Sequence, residues 1–305
     1  MSGRTAIGID IGGTSWRAAL VAEDGTVVRK VRGPSTDRAL AEIARAVDEL
    51  ADGAALPTGI AVAGLVMDGR VESSAHLAWI EGMTAGEILP HGARVILNDA
   101  QAAASAELAY GAGREAKDFV LVTLGTGIGG AVVHGGRLLQ IPAELGHVSI
   151  QADGPRCTCG NYGCLELYAS GSAIVRAVTD GLASDRQSTL RTCCEGSLWR
   201  VTPEDVNLAA YDGDAFARDV LRVAGRALGV GLATMADLFG PEVMVFTGGL
   251  TGAWDFYVEE AVREAQKRSL KPLGAGLAFT RSALGPDDAG VVGAAAAALK
   301  ADGRG

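Results

Sequence analysis

One pattern of strands and glycine loops occurs twice in the chain, with starting points roughly 115 residues apart, and it limits the possible folds. An apolar, strand-like segment, Thr5–Ile11, runs into the glycine loop Gly12–Thr14, and a second strand, a turn and a third strand follow. Another apolar segment, Phe119–Leu124, runs into the glycine loop Gly125–Gly130 and is followed by the same series. A repeat of this kind predicts two domains of related topology.

The rest of the chain alternates between helical and strand-like patterns. Apolar residues recur at helical spacing after Ser35 and Thr36, either of which is a candidate N-cap, and a long helix is predicted over Asp214–Leu238. The other predicted elements are the strands Ser15–Ala22, Val27–Val31, Ile60–Val66, Val95–Leu97, Ala131–His134, Arg137–Gln140 and Val243–Phe246, and the helices Ala100–Tyr110, Trp254–Arg268 and Ala289–Lys300. Alternating strands and helices in a chain of 305 residues predict an α/β protein with two domains.

Glycine accounts for 43 of the 305 residues, and three glycine loops follow apolar strands. Phosphate oxygens need several converging backbone N–H groups, and a Cβ atom would block that approach, so such loops suit a nucleotide. Asp10, beside the first loop, is a candidate to hold Mg²⁺, through water, on the phosphates. The predicted phosphate contacts are Gly12, Gly13, Thr14, Thr126, Gly127, Gly248 and Gly249.

Each glycine loop taken alone is also compatible with a plain tight turn between strands. No Gly-Lys-Ser/Thr follows any of them, which excludes a P-loop, and a predicted strand rather than a helix follows Gly125–Gly130, which disfavours a dinucleotide fingerprint. The net charge of -9 argues against binding to nucleic acid, whereas backbone amides can hold a phosphate without a basic patch.

Four potential metal ligands lie within 18 residues of sequence: His147, Cys157, Cys159 and Cys164. Three thiolates and one imidazole complete a tetrahedral zinc site, and four protein ligands would make the ion structural. A disulfide and a nucleophilic cysteine are the alternatives, and the odd total of five cysteines disfavours the first. We take Cys193-Cys194 as incidental, because no histidine lies near them in the sequence.

These motifs resemble those of known proteins. The spacing of Asp10–Thr14 and Gly125–Gly130 resembles the phosphate motifs of the actin/sugar-kinase/heat-shock-protein ATPase superfamily. With the Gly-His and Cys-x-Cys-Gly-x-x-Gly-Cys-x-Glu pattern at positions 146–166, the resemblance narrows to the ROK family of repressors, open reading frames and sugar kinases. It covers essentially the whole chain.

The resemblance implies a two-domain actin-like (ribonuclease H-like) fold of the sugar kinase/heat-shock ATPase type, with ATP in an interdomain cleft. We expect a smaller N-terminal domain over 1–116 plus 289–305 and a larger C-terminal domain over 117–288, with a zinc-binding segment at 147–164. The family also implies a homodimer. No long apolar run or secretory signal is visible, so we expect a cytoplasmic protein with no membrane partner.

The sequence Asn98-Asp99 follows a predicted strand and opens a helix, where α/β proteins place side chains that face a cleft. Phosphoryl transfer to an alcohol needs a carboxylate that orients the hydroxyl and accepts its proton. Taken alone, this pair is also a plain N-cap. The resemblance implies that Asp99 is the catalytic base. It also implies sugar contacts from Gly64, Asn98, Asp99, Glu144, His147 and Glu166, although an isolated glutamate is usually a solvated surface group.

Three positions depart from the usual family pattern. Gln101 replaces an asparagine, which we interpret as a change among supporting residues, and Ser15 stands where many relatives have lysine. His76 occupies the place of an asparagine near the sugar, so that it either reads a different substituent or points away.

We therefore expect an ATP-dependent hexose kinase, with Mg²⁺ and structural Zn²⁺, that phosphorylates the 6-hydroxyl of glucose or a glucose-like sugar. The alternatives are a kinase for an amino sugar or glucose analogue (kanosamine, glucosamine or N-acetylmannosamine) and a non-catalytic sugar-sensing ROK protein. The first glycine loop begins so early that we expect no DNA-binding segment before it.

Overall fold

The computed structural model describes residues 3–36, 38–90, 92–193, 200–274, 276–285 and 288–303. Within these ranges the strands are β1 (Thr5–Ile11), β2 (Ser15–Ala22), β3 (Val27–Pro34), β4 (Thr58–Val62), β5 (Leu65–Met67), β6 (Arg70–Ser73), β7 (Ala93–Asn98), β8 (Phe119–Leu124), β9 (Ile128–His134), β10 (Arg137–Leu138), β11 (Val243–Thr247) and β12 (Ala278–Arg281). The α-helices are α1 (Ala39–Ala51), α2 (Ala85–Ile88), α3 (Asp99–Tyr110), α4 (Glu166–Ala169), α5 (Gly171–Ala183), α6 (Leu190–Cys193), α7 (Pro203–Tyr211), α8 (Ala215–Phe239), α9 (Glu259–Arg268), α10 (Lys271–Gly274) and α11 (Ala289–Asp302).

Two five-stranded sheets repeat the same strand order. The first runs β3-β2-β1-β4-β7 and the second β10-β9-β8-β11-β12. In the first sheet β1, β2 and β3 are antiparallel, while β4 and β7 add to β1 in parallel. In the second sheet β9 and β10 are antiparallel, and β11 and β12 are parallel. The internal repeat and the α/β class predicted from the sequence are therefore confirmed.

The chain divides into two compact units. The first unit comprises Met1–Phe119, Ala131–Pro142 and Ser282–Gly305, and the second comprises Val120–Gly130 and Ala143–Arg281. The domain limits expected from the family resemblance stay a prediction.

The glycine- and alanine-rich helix α11 packs closely on the sheet of the first unit. A Cβ atom at Gly8 in β1 would overlap the carbonyl group of Val291, and one at Gly59 in β4 would overlap that of Ala294. Larger residues at Gly8 or Gly59 would push the helix away from the apolar strands that it covers. Part of the glycine excess therefore serves helix–sheet packing.

The second unit is built around the long helix α8. The Asp214 side chain caps its first turn by accepting the Ala217 N–H at 2.9 Å, and Gly240 ends it in the left-handed conformation, with φ of 52°. The predicted helix over Asp214–Leu238 is thus confirmed. In the part of the chain that the structure describes, no helix combines the length and apolarity needed to cross a membrane.

Several element boundaries differ from the predictions; for example, β3 extends to Pro34, β7 covers Ala93–Asn98 and β10 ends at Leu138. The N-cap of α1 is Arg38 and carries no side-chain cap, so Ser35 and Thr36 are the wrong residues for that role. The predicted strand Ile60–Val66 is two strands, β4 and β5. Strand β9 begins at Ile128 rather than Ala131, which shortens the second glycine loop.

The helix predicted over Trp254–Arg268 is present in two parts. A π-helical turn, Trp254–Val258, precedes α9. The hydroxyl group of Tyr257 in that turn is buried and donates to the Ala169 carbonyl at 2.6 Å.

Candidate active site

The carboxyl ends of three neighbouring parallel strands in the first unit carry many of the predicted site residues. Asp10 in β1 pairs with Ala61 in β4, and Val62 in β4 pairs with Asn98 in β7. Because parallel strands end at the same edge, the first glycine loop, Gly64 and the start of α3 all leave the sheet there. The structure therefore brings together Asp10, Gly12, Gly13, Thr14, Gly64, Asn98 and Asp99 at one sheet edge.

The first glycine loop is a tight turn that is held by a hydrogen bond from Ser35, the residue after β3. The Gly12 N–H donates to the Ser15 carbonyl at 3.0 Å, and the Ser35 hydroxyl donates to the Gly12 carbonyl at 2.6 Å. Ser35, which we predicted as a helix cap, thus stabilises this loop instead. Thr14 at the tip is exposed, which leaves its hydroxyl accessible.

Gly13 lies directly against His76. A Cβ atom at Gly13 would be 2.8 Å from the Cβ of His76, which is closer than real Cβ contacts allow. The His76 loop is held in place because Ser74 donates from its hydroxyl to the Ala63 carbonyl at 2.6 Å. The exposed imidazole of His76 therefore lies beside the first glycine loop.

Asp10 forms an ion pair that the sequence reasoning missed. Arg17 is its register partner on β2, and the guanidinium Nη1 lies 3.3 Å from Asp10 Oδ2. Burial raises the pKa of the Asp10 carboxyl, the Arg17 charge opposes this increase, and the negative charge of Asp99 adds to it. The strand–turn–strand pattern could have revealed the pair, since residues 10 and 17 are opposite each other in the predicted hairpin.

Asn98 caps helix α3 through a reciprocal pair of hydrogen bonds. Its side-chain oxygen accepts the Gln101 N–H at 2.7 Å, and the Gln101 side-chain oxygen accepts the Asn98 N–H at 3.0 Å. The Gln101 amide also donates to the Ile141 carbonyl at 3.2 Å. The N-cap interpretation is correct for Asn98, and Gln101 orients the strand end that carries Asp99.

Asp99 is the first residue of α3, and its side chain retains an exposed surface. Its Oδ1 accepts the Ala100 N–H at 2.8 Å, which helps to fix the carboxylate. Protein atoms around the carboxyl displace water and raise its pKa, and backbone N–H groups partly oppose this. A carboxylate with a raised pKa and an open face can accept a proton from a bound hydroxyl.

The second glycine loop is held by several hydrogen bonds within the second unit. The Gly125 carbonyl accepts the Gly171 N–H at 2.9 Å, and the Thr126 carbonyl accepts the Ser172 hydroxyl at 2.9 Å. The Ile128 N–H donates to Oε2 of Glu166 at 2.9 Å. Thr126 itself is exposed at the tip of the loop, in the same position as Thr14 in the first loop.

The third glycine loop packs against the strand that leads into the second. Gly248 has φ of 99°, and a Cβ atom there would overlap the Leu124 backbone. The Thr251 hydroxyl closes the turn by donating to the Gly248 carbonyl at 2.7 Å. The structure therefore places the predicted phosphate residues Thr126, Gly127, Gly248 and Gly249 in two adjacent loops.

The four predicted metal ligands form one cluster. Their ligand atoms all lie within 4.8 Å of one another, and Cys157, Cys159 and Cys164 are free thiols. The Sγ atoms of Cys159 and Cys164 are 3.7 Å apart, and the Cys157 Sγ is 3.7 Å from His147 Nδ1. Two sulfur ligands of a tetrahedral zinc ion, each about 2.3 Å from the metal, lie about 3.8 Å apart, so this donor set fits Zn²⁺.

The thiols in this cluster perturb one another. Burial acts to raise the pKa of Cys157, but hydrogen bonds with Cys159, Cys164 and His147 outweigh it and lower that pKa to about 7. Burial and the neighbouring thiols raise the pKa of Cys164 to about 12. Three thiolates at this distance repel one another, and a divalent cation would remove the repulsion.

Local turns shape the cluster. Gly160 and Gly163 have φ of 94° and 64°, a conformation that favours glycine. Asn161, which sequence reasoning did not single out, accepts the Cys157 N–H with its carbonyl at 2.7 Å and donates from its side chain to the His147 carbonyl at 3.2 Å. It ties the two halves of the ligand set together.

The predicted sugar contacts of the second unit flank this cluster. Glu144 is exposed, and its carbonyl accepts the His147 N–H at 3.0 Å in a short 3₁₀ helix. Glu166 begins α4 two residues after Cys164. Cys194 and the side chain of Cys193, which we took as incidental, lie outside the described residues.

Comparisons with known proteins agree with these features. The model of the ROK family matches residues 6–301. The chain is similar to a glucokinase of Streptomyces coelicolor, with 35% identity over 281 residues and 87% of each chain covered. It is also similar to the crystal structure of a ROK family glucokinase from Streptomyces griseus in complex with glucose and AMPPNP, with a TM-score of 0.79, 30% identity, and 97% of this chain and 99% of that one covered. A ROK family transcriptional regulator, a homolog of E. coli MLC protein, gives a TM-score of 0.85 at 28% identity and covers 98% of this chain, which spans 78% of the regulator.

Proposed function

The chain belongs to the ROK family, and on that premise we propose that it is an ATP-dependent hexose kinase that phosphorylates the 6-hydroxyl of glucose or a glucose-like sugar. The glucokinases to which the chain is similar over most of its length support a sugar phosphotransferase. The observation that carries the proposal is the position of Asp99, which leaves the same sheet edge as the first glycine loop.

Asp99 would orient the primary hydroxyl and accept its proton late in the transfer. In a loose transition state the hydroxyl becomes acidic only as the new P–O bond forms, so a carboxylate is a strong enough base. The raised pKa of Asp99 brings it closer to that task. The hydrogen bond from the Ala100 N–H keeps the carboxylate oriented.

The three glycine loops would bind the phosphates of ATP. Thr14 and Thr126 would add hydroxyl donors at the exposed loop tips. Asp10 offers carboxylate oxygens of the kind that Mg²⁺ prefers, and Arg17 favours the ionised form that such an ion needs. When bound, Mg²⁺ would screen the charge of the phosphates.

Sugar hydroxyls would be bound by the residues that match the family's sugar contacts. The family resemblance assigns these contacts to Gly64 and Asn98 in the first unit and to Glu144, His147 and Glu166 in the second. Carboxylates accept hydrogen bonds from neighbouring hydroxyls, and a metal-bound histidine keeps one ring N–H to donate.

The Cys₃His cluster would hold a structural zinc ion. His147, Cys157, Cys159 and Cys164 supply four protein ligands, which leaves no position for a catalytic water. The ion would fix the loop that carries Glu144 and His147. We further propose, from the family resemblance, that the chain is a cytoplasmic homodimer, and light scattering on the purified protein tests the dimer.

Two alternatives rest on specific observations. His76 lies beside the first glycine loop and replaces the family asparagine, which favours a kinase for an amino sugar such as kanosamine, glucosamine or N-acetylmannosamine. The similarity to a transcriptional regulator over 98% of this chain supports a sugar sensor without kinase activity.

One coupled assay of ADP release distinguishes these functions. Zinc-replete protein is tested with glucose, mannose, fructose, glucosamine, N-acetylmannosamine and 3-amino-3-deoxyglucose, and sugar binding is measured in parallel by calorimetry. Turnover with glucose at the highest kcat/KM supports the proposal, and a clear preference for an amino sugar supports the first alternative. Sugar binding without ADP release would refute the kinase and support the sensor. A parallel series with polyphosphate as donor, followed by the formation of sugar phosphate, tests the choice of ATP.

A further inference from the structure

We propose that Glu166 positions the second glycine loop, so that the metal in the Cys₃His cluster controls nucleotide binding as well as the sugar site. The inference rests on the proposed function, in which this loop binds the phosphates of ATP. It gives Glu166 a second role, beside the sugar contact that the family resemblance assigns to it.

The direct observation is a hydrogen bond between the cluster's own segment and the loop. Oε2 of Glu166 accepts the Ile128 N–H at 2.9 Å, and a Cβ atom at Gly127 would overlap the same carboxylate. An anionic side chain beside a phosphate loop repels phosphate, so its presence is unfavourable for phosphate binding alone. Its structural effect is to fix one backbone N–H and, with it, the direction of the neighbouring amides.

The connection from the metal ligand to this carboxylate is short and stiff. Only Leu165 separates Cys164 from Glu166, and the Cys164 and Leu165 side chains are completely buried. The Leu165 N–H donates to the Val148 carbonyl at 2.9 Å, next to the ligand His147. A displacement of Cys164 would therefore also displace the Glu166 carboxylate.

The opposite end of the ligand set touches the same loop region. Immediately before His147, a Cβ atom at Gly146 would overlap the Ile128 carbonyl, and the Leu145 side chain occupies the space where Gly130 would carry a Cβ atom. The first and the last ligand of the cluster are thus both attached to residues that contact the strand leaving the loop. Loss of the metal would release both attachments together.

A third attachment joins the loop to the same segment, at the start of α5. After Glu166, the cap Ser170 starts helix α5, and the Gly171 and Ser172 N–H groups donate to the carbonyls of Gly125 and Thr126 at 2.9 and 3.2 Å. Residues 164–172 therefore bind the loop at 125, 126 and 128.

Two substitutions at one position separate the hydrogen bond from the charge. Glu166→Gln keeps a side-chain oxygen that can accept the Ile128 N–H, whereas Glu166→Ala removes it. We expect Glu166→Ala to raise the Kd for ADP, measured by calorimetry without sugar, by about tenfold, the effect of losing one hydrogen bond that orders a binding loop. Glu166→Gln should stay within about threefold of the unchanged protein. Asp153→Asn, which removes an exposed carboxylate from the same segment, is the control and should leave the Kd unchanged.

Equal ADP affinity in Glu166→Ala and the unchanged protein would overturn the proposal, and so would a Glu166→Gln variant as weak as Glu166→Ala. The sugar Kd is measured separately, because both variants lose the charge of a proposed sugar contact. If Glu166→Ala does not fold, the experiment with the metal decides on the unmodified chain.

In that second experiment, zinc is removed with a chelator and restored. Metal removal should raise the Kd for ADP by about tenfold and speed hydrogen exchange at the Ile128 amide, and zinc should reverse both changes. A metal-free protein that loses sugar affinity but keeps ADP affinity and amide protection would refute the coupling and leave the proposed function intact. Failure of the zinc-replete protein to bind any nucleotide would refute the proposed function itself.

Discussion

The first and second glycine loops are built on the same strand order but are supported in different ways. The first loop is stabilised by its own sheet, through the Asp10–Arg17 pair across β1 and β2 and through Ser35 at the end of β3. The second loop is supported by residues 143–172, which carry the cysteine cluster, Glu166 and the start of α5. A repeated unit can thus keep its backbone and change what holds it.

The two regions also differ in charge. Asp10, Arg17 and Asp99 lie near the first loop, and the two carboxyls there have raised pKa values. Beside the second loop, the one charged contact described above is Glu166, which is hydrogen-bonded to the backbone. The first region thus carries the groups proposed for proton transfer and magnesium binding, whereas the carboxylate beside the second loop is engaged by the backbone.

The strongest test of this division is Asp99→Asn, because it removes the proposed base and keeps the size of the side chain. We expect kcat to fall by about 10²–10⁴-fold while the sugar Kd changes by less than about threefold. Asp68→Asn, the same change on an exposed turn, is the control in the ADP-release assay. Near-normal turnover of Asp99→Asn would remove Asp99 from the mechanism.

The corresponding test of the second region is Cys159→Ser. The variant should lose about one zinc per chain by elemental analysis, and its Tm should fall by roughly 10 °C because a structural metal supplies part of the folding free energy. The control is Cys193→Ser, which changes a cysteine outside the ligand set and should retain both the zinc and the Tm of the unchanged protein. Full metal content or an unchanged Tm in Cys159→Ser would show that the cluster does not hold a structural ion.

Arg17→Met tests whether the ion pair sets the charge of the first region. Burial already raises the pKa of Asp10, and without the guanidinium that pKa rises further. Asp10 is then protonated at a higher pH, so the acidic limb of the kcat/KM profile should move to higher pH and activity near neutrality should drop by up to about tenfold. Arg17→Lys keeps the charge and should largely restore the profile. An unshifted acidic limb in Arg17→Met would show that Asp10 is not required in its ionised form.

Asp99→Asn should also increase the stability of the folded protein, although it lowers kcat. Since the pKa of Asp99 is raised in the folded protein, its ionised form is less favourable there than in the unfolded chain. The resulting loss of folding stability is complete at pH values above the pKa of Asp99 in the folded protein, and it vanishes at pH values below the ordinary pKa of 3.8. The variant should therefore have a slightly higher Tm than the unchanged protein at neutral pH, and the difference should disappear in acid. A lower Tm at neutral pH would contradict this.

The smallest effect is expected for His76→Asn. The imidazole lies beside the first loop, and the substitution restores the asparagine that the family usually has there. We expect the ratio of kcat/KM values for glucose and an amino sugar to change measurably but by less than about tenfold, as is typical for one polar contact at the edge of a site. His134→Asn, a histidine on the exposed end of β9, is the control. An unchanged ratio would show that His76 does not contact the sugar.

Much of the local structure could be predicted from the sequence. The limits of β1, β2 and β8 agree with the apolar runs, because strand periodicity is a local property. The cap of α1 could not be predicted, since Ser35 forms its hydrogen bond with Gly12, a residue distant in sequence. The start of β9 was also missed, because its glycines suggested a turn. Gly130 lies in the strand instead, where the Leu145 side chain packs so closely that a Cβ atom would not fit.

The candidate site follows the same division. The residue types and their spacing could be recognised from the amino-acid order: the cysteine–histidine ligand set, the glycine loops and the aspartate at the start of α3. The folded chain was needed to show that Arg17 pairs with Asp10, that Gly8 and Gly59 make room for α11, and that Glu166 is hydrogen-bonded to Ile128. The physical reason is that metal-ligand spacing and loop composition are local, whereas ion pairs, close packing and loop supports depend on the register and contacts of segments far apart in the chain.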